Sequence, residues 1–179
     1  MSAKINFIPL DYDYFDHEGK NYAKIIGRTD TGKRACIIDT IEPFFWAILK
    51  KNLNDKQIKK LQNRIEAINI TNRIRTSKII RTEVHDKKFL GKDIQALKIF
   101  VTNSKDIYDI AHEINFKEIE KKRELDINFI TRYIIERKLD PLHWYEVSGE
   151  ILNNSAEFGG IDSSVEVDIC INAEKIVPL

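Results

Sequence analysis

Cysteine is scarce in this chain of 179 residues, and its two cysteines, Cys36 and Cys170, are far apart in sequence and lack C-x-x-C spacing. They indicate neither a disulfide framework nor a zinc site, so we expect two reduced core thiols. Long apolar runs are also absent, since no stretch approaches the roughly 18 residues of a membrane-spanning helix. Met1 is not followed by the charged and then apolar segments of a signal peptide. These absences predict a cytoplasmic protein with no membrane partner.

Charge is nearly balanced over the whole chain, at +1, but it is unevenly distributed. Residues 50–98 carry fourteen Lys and Arg against five Asp and Glu, whereas residues 139–179 carry one Lys against eight acids. The basic middle is a candidate surface for a polyanion. A solvated helix and hairpin would produce the same run of charge, so this alternative stays open.

A phosphate-binding loop is absent as well, although "GRTDTGKR" at 27–34 matches seven of the eight positions of G-x-x-x-x-G-K-[ST]. Arg34 replaces the hydroxyl residue that would bind magnesium, and the β-branched run "ACIID" follows where a helix is required. The stretch therefore predicts a hairpin turn in which Gly32 takes a positive φ.

No other catalytic pattern is present in the sequence. Asp11, Asp13 and Asp16 alternate along a predicted strand beside a turn, and no second acidic cluster accompanies them. The four histidines are scattered, and no serine or cysteine lies in a nucleophile motif. An RNA-recognition motif is also weak, because "DIQALKIFV" offers only Phe100 for base stacking. We expect no active site and no metal site.

Apolar residues make up 42% of the chain, and their spacing predicts an α+β fold. Over 1–42, three strands separated by "HEGK" and "TDTGK" indicate a mixed or antiparallel β meander. Over 43–125 the order is β-α-β-β-α-β, a ferredoxin-like or RRM-like core, with Pro43 near the start of its first strand. Its helices are predicted after Asn54/Asp55 and after Ser104.

The helical spacing of apolar residues identifies the faces expected to pack inward. They are Ile58, Leu61, Ile65 and Ile68 in the first helix, and Ile107, Ile110, Ala111 and Ile114 in the second. Over 126–179 we predict a helix to about residue 138 that buries Ile127, Ile130 and Ile134. Strands "HWYEVSGE" and "SVEVDICIN" follow, separated by a polar loop at 153–164. The three segments are expected to form one compact domain.

Two segments in the second half, "KKFLGKDIQALKIFVTNSKDIYDI" (87–110) and "ELDINFITRYIIERKLDPLHWYEVSGE" (124–150), carry a family resemblance. Their ordered hairpin, helix start and D-I-x-F-x-x-R-Y helix resemble the amino-terminal domain of archaeal family B DNA polymerases. "LDYDYFDHEGK" and "EPFFWAIL" fit the opening strands of that domain. The resemblance covers about residues 5–150.

This resemblance implies a domain that binds single-stranded template DNA ahead of the polymerase and senses template uracil. It also implies the exonuclease and palm domains of the polymerase as partners. Without the resemblance, the matching aromatic and isoleucine residues would be interpreted as core. The residues that match the family's uracil site are Tyr14, Pro43, Phe44, Ile107, Ile127, Phe129 and Arg132.

Catalytic carboxylates of that family are missing, because "VEVDICIN" lacks the D-x-E pair and no polymerase carboxylates are found. The resemblance therefore implies an isolated or separately encoded domain that is no enzyme alone and has no cofactor, with magnesium serving the full polymerase. Ser104, Ala111 and Ile107 depart from the family's usual Pro, Arg and Val. The alternative is an interaction scaffold that binds single-stranded RNA or DNA non-specifically and has no uracil pocket.

Overall fold

The computed structural model describes residues 1–71, 76–152 and 167–179 and has an α+β architecture. Three helices are found in these residues: α1 (Asp55–Glu66), α2 (Ile107–Glu113) and α3 (Phe129–Arg137). The strands of the same residues are β1 (Ser2–His17), β2 (Lys20–Thr29), β3 (Arg34–Asp39), β4 (Phe44–Leu49), β5 (Asn69–Thr71), β6 (Thr76–Phe89), β7 (Lys92–Val101), β8 (Ile119–Arg123), β9 (Tyr145–Ile151) and β10 (Ile169–Pro178).

The chain divides into two compact units, each with its own sheet. We call Met1–Ile41 together with Phe129–Leu179 the barrel unit, and Glu42–Asn128 the sheet unit. By sequence, the barrel unit has ten Lys and Arg against fifteen Asp and Glu. The sheet unit has nineteen against thirteen, so the two units carry opposite net charge.

The barrel unit is a closed barrel with strand order β1-β2-β3-β10-β9. Its sheet is mixed, because β10 runs parallel to β3 and all other pairs are antiparallel. The predicted β1-β2-β3 meander is confirmed. Register shifts between Pro9 and Asp11 and between Ala173 and Lys175 supply the bends that closure requires. Gly27 faces the first bend, where a Cβ atom would lie 2.1 Å from the Ile8 carbonyl oxygen.

Alternation along the strands fills the barrel interior with apolar side chains. In β2, every second residue from Asn21 to Thr29 is buried. The interior cluster includes Phe7, Ile25, Ile37, Tyr145, Val147 and Ile171, together with Phe129 and Tyr133 from α3. Cys36 and Cys170 form no disulfide and lie in register on the adjacent strands β3 and β10.

The "GRTDTGKR" stretch forms the predicted hairpin turn between β2 and β3. Gly32 has φ +82°, and its N–H donates to the Thr29 carbonyl oxygen at 2.9 Å. A β-strand follows at Arg34, so the helix N-terminus that a phosphate loop needs is not formed here.

The sheet unit is an antiparallel sheet with strand order β5-β6-β7-β4-β8. It contains the predicted β-α-β-β-α-β order with one further short strand, β5. One sheet face packs against α1 and α2 through a core that includes Phe45, Ala47, Leu61, Ile65, Leu97, Ile99, Ile107 and Ile110.

The predicted start of α1 is confirmed by its cap. The Asn54 side chain accepts a hydrogen bond from the Gln57 N–H, and the Gln57 side chain accepts one from the Asn54 N–H, both at 2.9 Å. The predicted turn between β6 and β7 is formed by Leu90 and Gly91, whose positive φ angles of 49° and 77° suit a two-residue hairpin.

Several predicted element ends are wrong. Asn103 rather than Ser104 caps the second helical region, since its side chain accepts from the Lys105 N–H at 2.9 Å and a 3-10 turn precedes α2. Ile68 lies beyond the end of α1. β9 begins at Tyr145, not His143. β10 begins at Ile169 and continues to Pro178, whereas the first part of its predicted segment and the 153–164 loop lie outside the described residues.

The third helix also differs from its prediction. α3 begins at Phe129 instead of Asp126, so Ile127 precedes it. Its buried residues are Phe129, Arg132 and Tyr133, whereas Ile130 and Ile134 are half-buried. The Tyr133 hydroxyl donates to the Asp39 carboxylate at 2.8 Å, which permits a polar-tipped side chain to take the inward position.

Candidate nucleic-acid interface

The sheet unit presents aromatic and basic side chains on the sheet face opposite its helices. Side chains alternate along β4, so Phe45 and Ala47 pack under the helices while Phe44 and Trp46 lie on the other face. Antiparallel pairing brings Phe44 opposite Phe100, and Trp46 opposite Lys98 and Arg123. We define the basic-aromatic face by Phe44, Trp46, Arg81, His85, Lys87, Lys98, Phe100, Lys121 and Arg123.

Cations lie directly over the rings of this face. The Arg81 guanidinium carbon is 3.7 Å from the Phe100 ring centroid, and Lys98 Nζ is 3.9 Å from that of Phe44. Lys87 Nζ lies 4.8 Å from the Trp46 ring centroid. Such contacts hold positive charge at the surface without neutralising it, because an aromatic ring carries no net charge. The face is therefore both electropositive and built of planar groups.

Acidic residues neutralise one edge of the basic-aromatic face. Arg81 pairs with Glu42 and with Glu83, whose carboxylate also lies 3.0 Å from His85 Nε2. The hydrogen bond from His85, supported by Arg81, lowers the pKa of Glu83, so this carboxylate is ionised at neutral pH. Arg81 is thus paired with protein carboxylates, and the other cations of the face are Lys87, Lys98, Lys121 and Arg123.

A groove of about 460 Å³ lies at the end of this face beside the β6–β7 hairpin. Its apolar lining includes Trp46, Ile48, Phe89 and Ile94, and its charged lining consists of three cations, Lys87, Lys88 and Arg123, and one acid, Glu124. The Arg123 guanidinium carbon lies 4.6 Å from the Phe89 ring centroid. The groove therefore combines a planar apolar floor with a basic rim.

Three of the predicted uracil-site residues belong to the barrel unit. Tyr14 is half-buried on β1, and its ring centroid lies 5.8 Å from that of Phe129. Phe129 is buried and stacks on Tyr133 with a centroid separation of 6.4 Å. Arg132 is only 6% exposed. The structure thus brings Tyr14 and Phe129 together.

The other four belong to the sheet unit. Pro43 is buried, and its carbonyl oxygen accepts from the Val101 N–H at 2.9 Å. Phe44 is buried on the basic-aromatic face, whereas Ile107 belongs to the core cluster on the helix side of the sheet. Ile127 is half-buried after β8. The assignment of these residues to uracil recognition stays a prediction.

The sequence patterns identified Phe44, Phe100 and the basic run at 50–98, but they did not place these residues on one face or include Trp46 and Arg123. The signal for the basic-aromatic face is short: aromatic residues two apart in "FFW" and a lysine two before an aromatic in "LKIF". Alternation places each pair on one sheet face, but only the register of β4 against β7 shows that both pairs share it.

Within residues 1–71, 76–152 and 167–179, no group of three or more His, Cys, Asp or Glu side chains is arranged to hold a metal ion. In the same ranges, no helix has the length and apolar character needed to cross a membrane.

Comparisons with known proteins find DNA polymerases. The DNA polymerase of Thermococcus kodakarensis is 28% identical over 134 residues, which are 74% of this chain and 8% of that protein. DNA polymerase 1 of Pyrococcus abyssi is 28% identical over 141 residues, which are 76% of this chain and 17% of that protein. No protein-family model matches the chain.

A solved structure of the family B DNA polymerase from the hyperthermophilic archaeon Pyrobaculum calidifontis has the same fold, with a TM-score of 0.70 and 18% identity. The match covers 97% of this chain and 20% of that one. This chain therefore spans no more than about a fifth of the polymerases it matches. Sequence and fold together show that the chain is homologous to a region of archaeal family B DNA polymerases.

Proposed function

We propose that this chain is the amino-terminal domain of a family B DNA polymerase and that it binds the single-stranded template. The basic-aromatic face carries this proposal, because proteins hold single strands by combining a positively charged surface with aromatic platforms. The similar proteins are DNA polymerases, and the sheet unit has a net positive charge. DNA and the exonuclease and palm domains are the proposed partners.

Catalysis is proposed to reside in those other domains. The chain has no D-T-D triplet, and its one D-x-E triplet, Asp16-His17-Glu18, lies at the turn between β1 and β2, not in a strand that follows the domain, where the family carries its exonuclease pair. We expect the purified chain to show no magnesium-dependent nucleotide incorporation or nuclease activity. Activity that a chelator removes and that persists through repurification would contradict this.

Template uracil is the proposed specific ligand. An unpaired uracil has a flat face and a polar edge, so a tight apolar slot with backbone amides holds it and excludes the 5-methyl group of thymine by size. The residues proposed to recognise it are the seven matched to the family: Tyr14, Pro43, Phe44, Ile107, Ile127, Phe129 and Arg132.

Fluorescence anisotropy with two single strands that differ only in one uracil or thymine tests this proposal. We expect uracil to be preferred about tenfold, the value of one well-formed base contact. Tyr14→Leu should bring the ratio towards one, because Tyr14 is half-buried and its replacement spares the core. Tyr22→Leu is the matched control, since Tyr22 is a half-buried aromatic outside the predicted set.

Ile107 requires a gentler substitution than a polar one. It is 3% exposed and packs in the sheet-unit core, so Gln or Arg would bury an unsatisfied polar group and endanger the fold. Ile107→Val removes one methylene, and we expect a folded variant whose ratio of uracil to thymine affinity changes while general affinity stays constant. An unchanged ratio would remove Ile107 from the proposed site.

The second candidate is an interaction scaffold that binds single-stranded RNA or DNA without reading the base. The same basic-aromatic face favours it, because phosphate contacts and stacking carry no base preference. Equal affinity for uracil and thymine strands, together with a steep salt dependence, would select the scaffold over the uracil sensor.

A further inference from the structure

We infer that the groove beside the β6–β7 hairpin takes one unpaired nucleotide of a single DNA strand, with its base stacked on Trp46 and the flanking phosphates on Lys87 and Arg123. This inference rests on the proposed binding of single-stranded template. It adds a site that shares no residue with the seven proposed for uracil.

The floor of the groove offers a pre-positioned stacking surface. Trp46 is half-buried, and two edge-on rings fix its orientation: His85 at 5.4 Å and 82°, and Phe44 at 6.1 Å and 84° between ring planes. A ring held in this way loses little freedom when a base stacks on it. The volume of about 460 Å³ lies in the range of small-ligand sites and accommodates one nucleotide.

The rim of the groove carries donors that the protein leaves unused. Arg123 Nε is buried and has no hydrogen-bond partner among the described residues. Buried unsatisfied donors are uncommon and call for a partner, and a guanidinium matches the geometry of a phosphate. The Arg123 guanidinium carbon lies 4.6 Å from the Phe89 ring centroid, and this contact fixes the orientation of the guanidinium. Arg123 is therefore poised for an anionic ligand.

Lysine side chains at the rim complete the recognition of a strand. Lys87 is exposed and lies over Trp46 at 4.8 Å, a weak contact that its flexible stem can exchange for a phosphate when a base takes its place. Lys88 pairs with Asp93 only at 3.9 Å between two exposed groups, so this ion pair is well screened. Positive charge on both sides of an apolar floor fits a base flanked by phosphates.

Nothing in the groove distinguishes uracil from thymine. Its floor consists of Trp46, Ile48, Phe89 and Ile94, and stacking tolerates every base. The groove is thus expected to raise general affinity for single strands, whereas the uracil residues set the preference. The two sites can be separated by experiment for this reason.

Fluorescence of the full chain tests the inference. Trp144→Phe leaves Trp46 as the only tryptophan, and the probe is a ten-nucleotide oligothymidylate. We expect saturable quenching of Trp46 with the same midpoint as the anisotropy of a labelled oligothymidylate. In this background, Trp46→Leu should weaken binding by about tenfold, and Trp46→Phe should restore most of the affinity by keeping an aromatic platform.

Charge variants test the rim. Arg123→Gln and Lys87→Gln should each weaken binding and each reduce the slope of log K against log salt by about 0.7, the value for one phosphate contact on a single strand. Lys59→Gln is the matched control, because Lys59 is an exposed lysine of the same unit on α1. It should change neither affinity nor slope. Circular dichroism confirms that each variant is folded.

The outcomes separate this inference from the proposed function. A chain that binds oligothymidylate without Trp46 quenching, and with normal affinity in folded Arg123→Gln, overturns the groove but not template binding. A chain that binds no single strand overturns both. If folded Trp46→Leu loses the preference for uracil rather than general affinity, the groove is not the separate, base-tolerant site inferred here.

Discussion

The barrel unit and the sheet unit place their charged residues in opposite ways. In the barrel unit, acidic residues predominate, and Asp39 is buried where it pairs with Arg137 and Tyr133. In the sheet unit, cations predominate and lie over aromatic rings. The Asp39 carboxylate is paired inside the barrel unit, whereas Lys87 of the sheet unit is exposed and lies over a ring that carries no net charge. This difference supports the proposal that the sheet unit holds the backbone of the template strand, whereas Asp39 has a structural role in the barrel unit.

Sheet topology reinforces this difference. The barrel closes on itself, so its interior is filled by side chains and its strands have no free edge to pair with another chain. The sheet of the sheet unit is open, and α1 and α2 pack against one of its faces. On the other face Phe44 and Phe100 are buried, whereas Trp46 is half-buried and Lys87 is exposed. The proposed contact with a strand of nucleotides therefore depends on the Trp46 end of this face.

Removal of the buried carboxylate in the barrel unit should have the largest effect on stability. Asp39 accepts from Tyr133 Oη at 2.8 Å and from Arg137 Nε and Nη2 at 2.8 and 3.1 Å. Asp39→Ala leaves the Tyr133 hydroxyl buried without its partner, and we expect a loss of about 3 kcal/mol in the free energy of unfolding by urea. Asp11→Ala, at an exposed acid of the same unit, should change it by less than about 0.5 kcal/mol. Similar losses of unfolding free energy in Asp39→Ala and Asp11→Ala would show that the buried hydrogen bonds of Asp39 contribute no more to stability than an exposed acid does.

The next largest expected effect is the salt dependence of single-strand binding, which tests the sheet unit. If Lys87, Lys98, Lys121 and Arg123 each contact a phosphate, log K should fall with log salt at a slope of about −3, which is roughly a 50-fold loss of affinity between about 50 and 200 mM salt.

Two lysine variants, one in each unit, test which unit contacts the phosphates. Lys98→Gln, on the basic-aromatic face, should lower the slope by about 0.7. Lys33→Ala, at the exposed β2–β3 turn of the barrel unit, should leave binding and fold nearly unchanged. A larger effect from Lys33 than from Lys98 would move the binding surface to the barrel unit.

Local features of the fold were predictable from the sequence, and long-range ones were not. The cap at Asn54 and the turns at Gly32 and Gly91 depend on neighbouring residues, so their patterns are visible in a few letters. The parallel pairing of β10 with β3 places Cys170 beside Cys36, although most of the sequence separates the two residues. No local sequence pattern specifies such a pairing.

The candidate site shows the same limit. Its charge was visible as the basic run at 50–98, but Arg123 lies outside that run and reaches the face through the pairing of β8 with β4. Ile130 and Ile134 of α3 pack against the barrel core as predicted, but they are half-buried. Tyr133 was not predicted to be buried, because its inward position depends on its hydrogen bond to Asp39. Composition predicted a surface for a polyanion, and register decided which side chains form it.

The smallest expected effect distinguishes two buried tyrosine hydroxyl groups of the barrel unit, those of Tyr12 and Tyr133. The Tyr12 hydroxyl is buried and has no hydrogen-bond partner among the described residues, whereas that of Tyr133 donates to Asp39. Tyr12→Phe removes an unsatisfied group, so we expect stability at pH 7 to stay within about 0.5 kcal/mol or to rise slightly. Tyr133→Phe, the matched control, removes a made hydrogen bond and should cost about 1 kcal/mol.

Alkaline pH should increase the difference in stability between wild type and Tyr12→Phe. Burial, with smaller contributions from Tyr145 and Asp140, raises the pKa of Tyr12 from 10.0 to about 12. Between these values the unfolded chain loses the proton that the folded chain keeps, so the free energy of unfolding falls as pH rises from about 10 to 12. Tyr12→Phe lacks this proton and should lose less stability over the same interval in urea titrations. If wild type and Tyr12→Phe decline in parallel from pH 10 to 12, the Tyr12 hydroxyl is in contact with solvent, and the barrel interior is less closed around it than the structure shows.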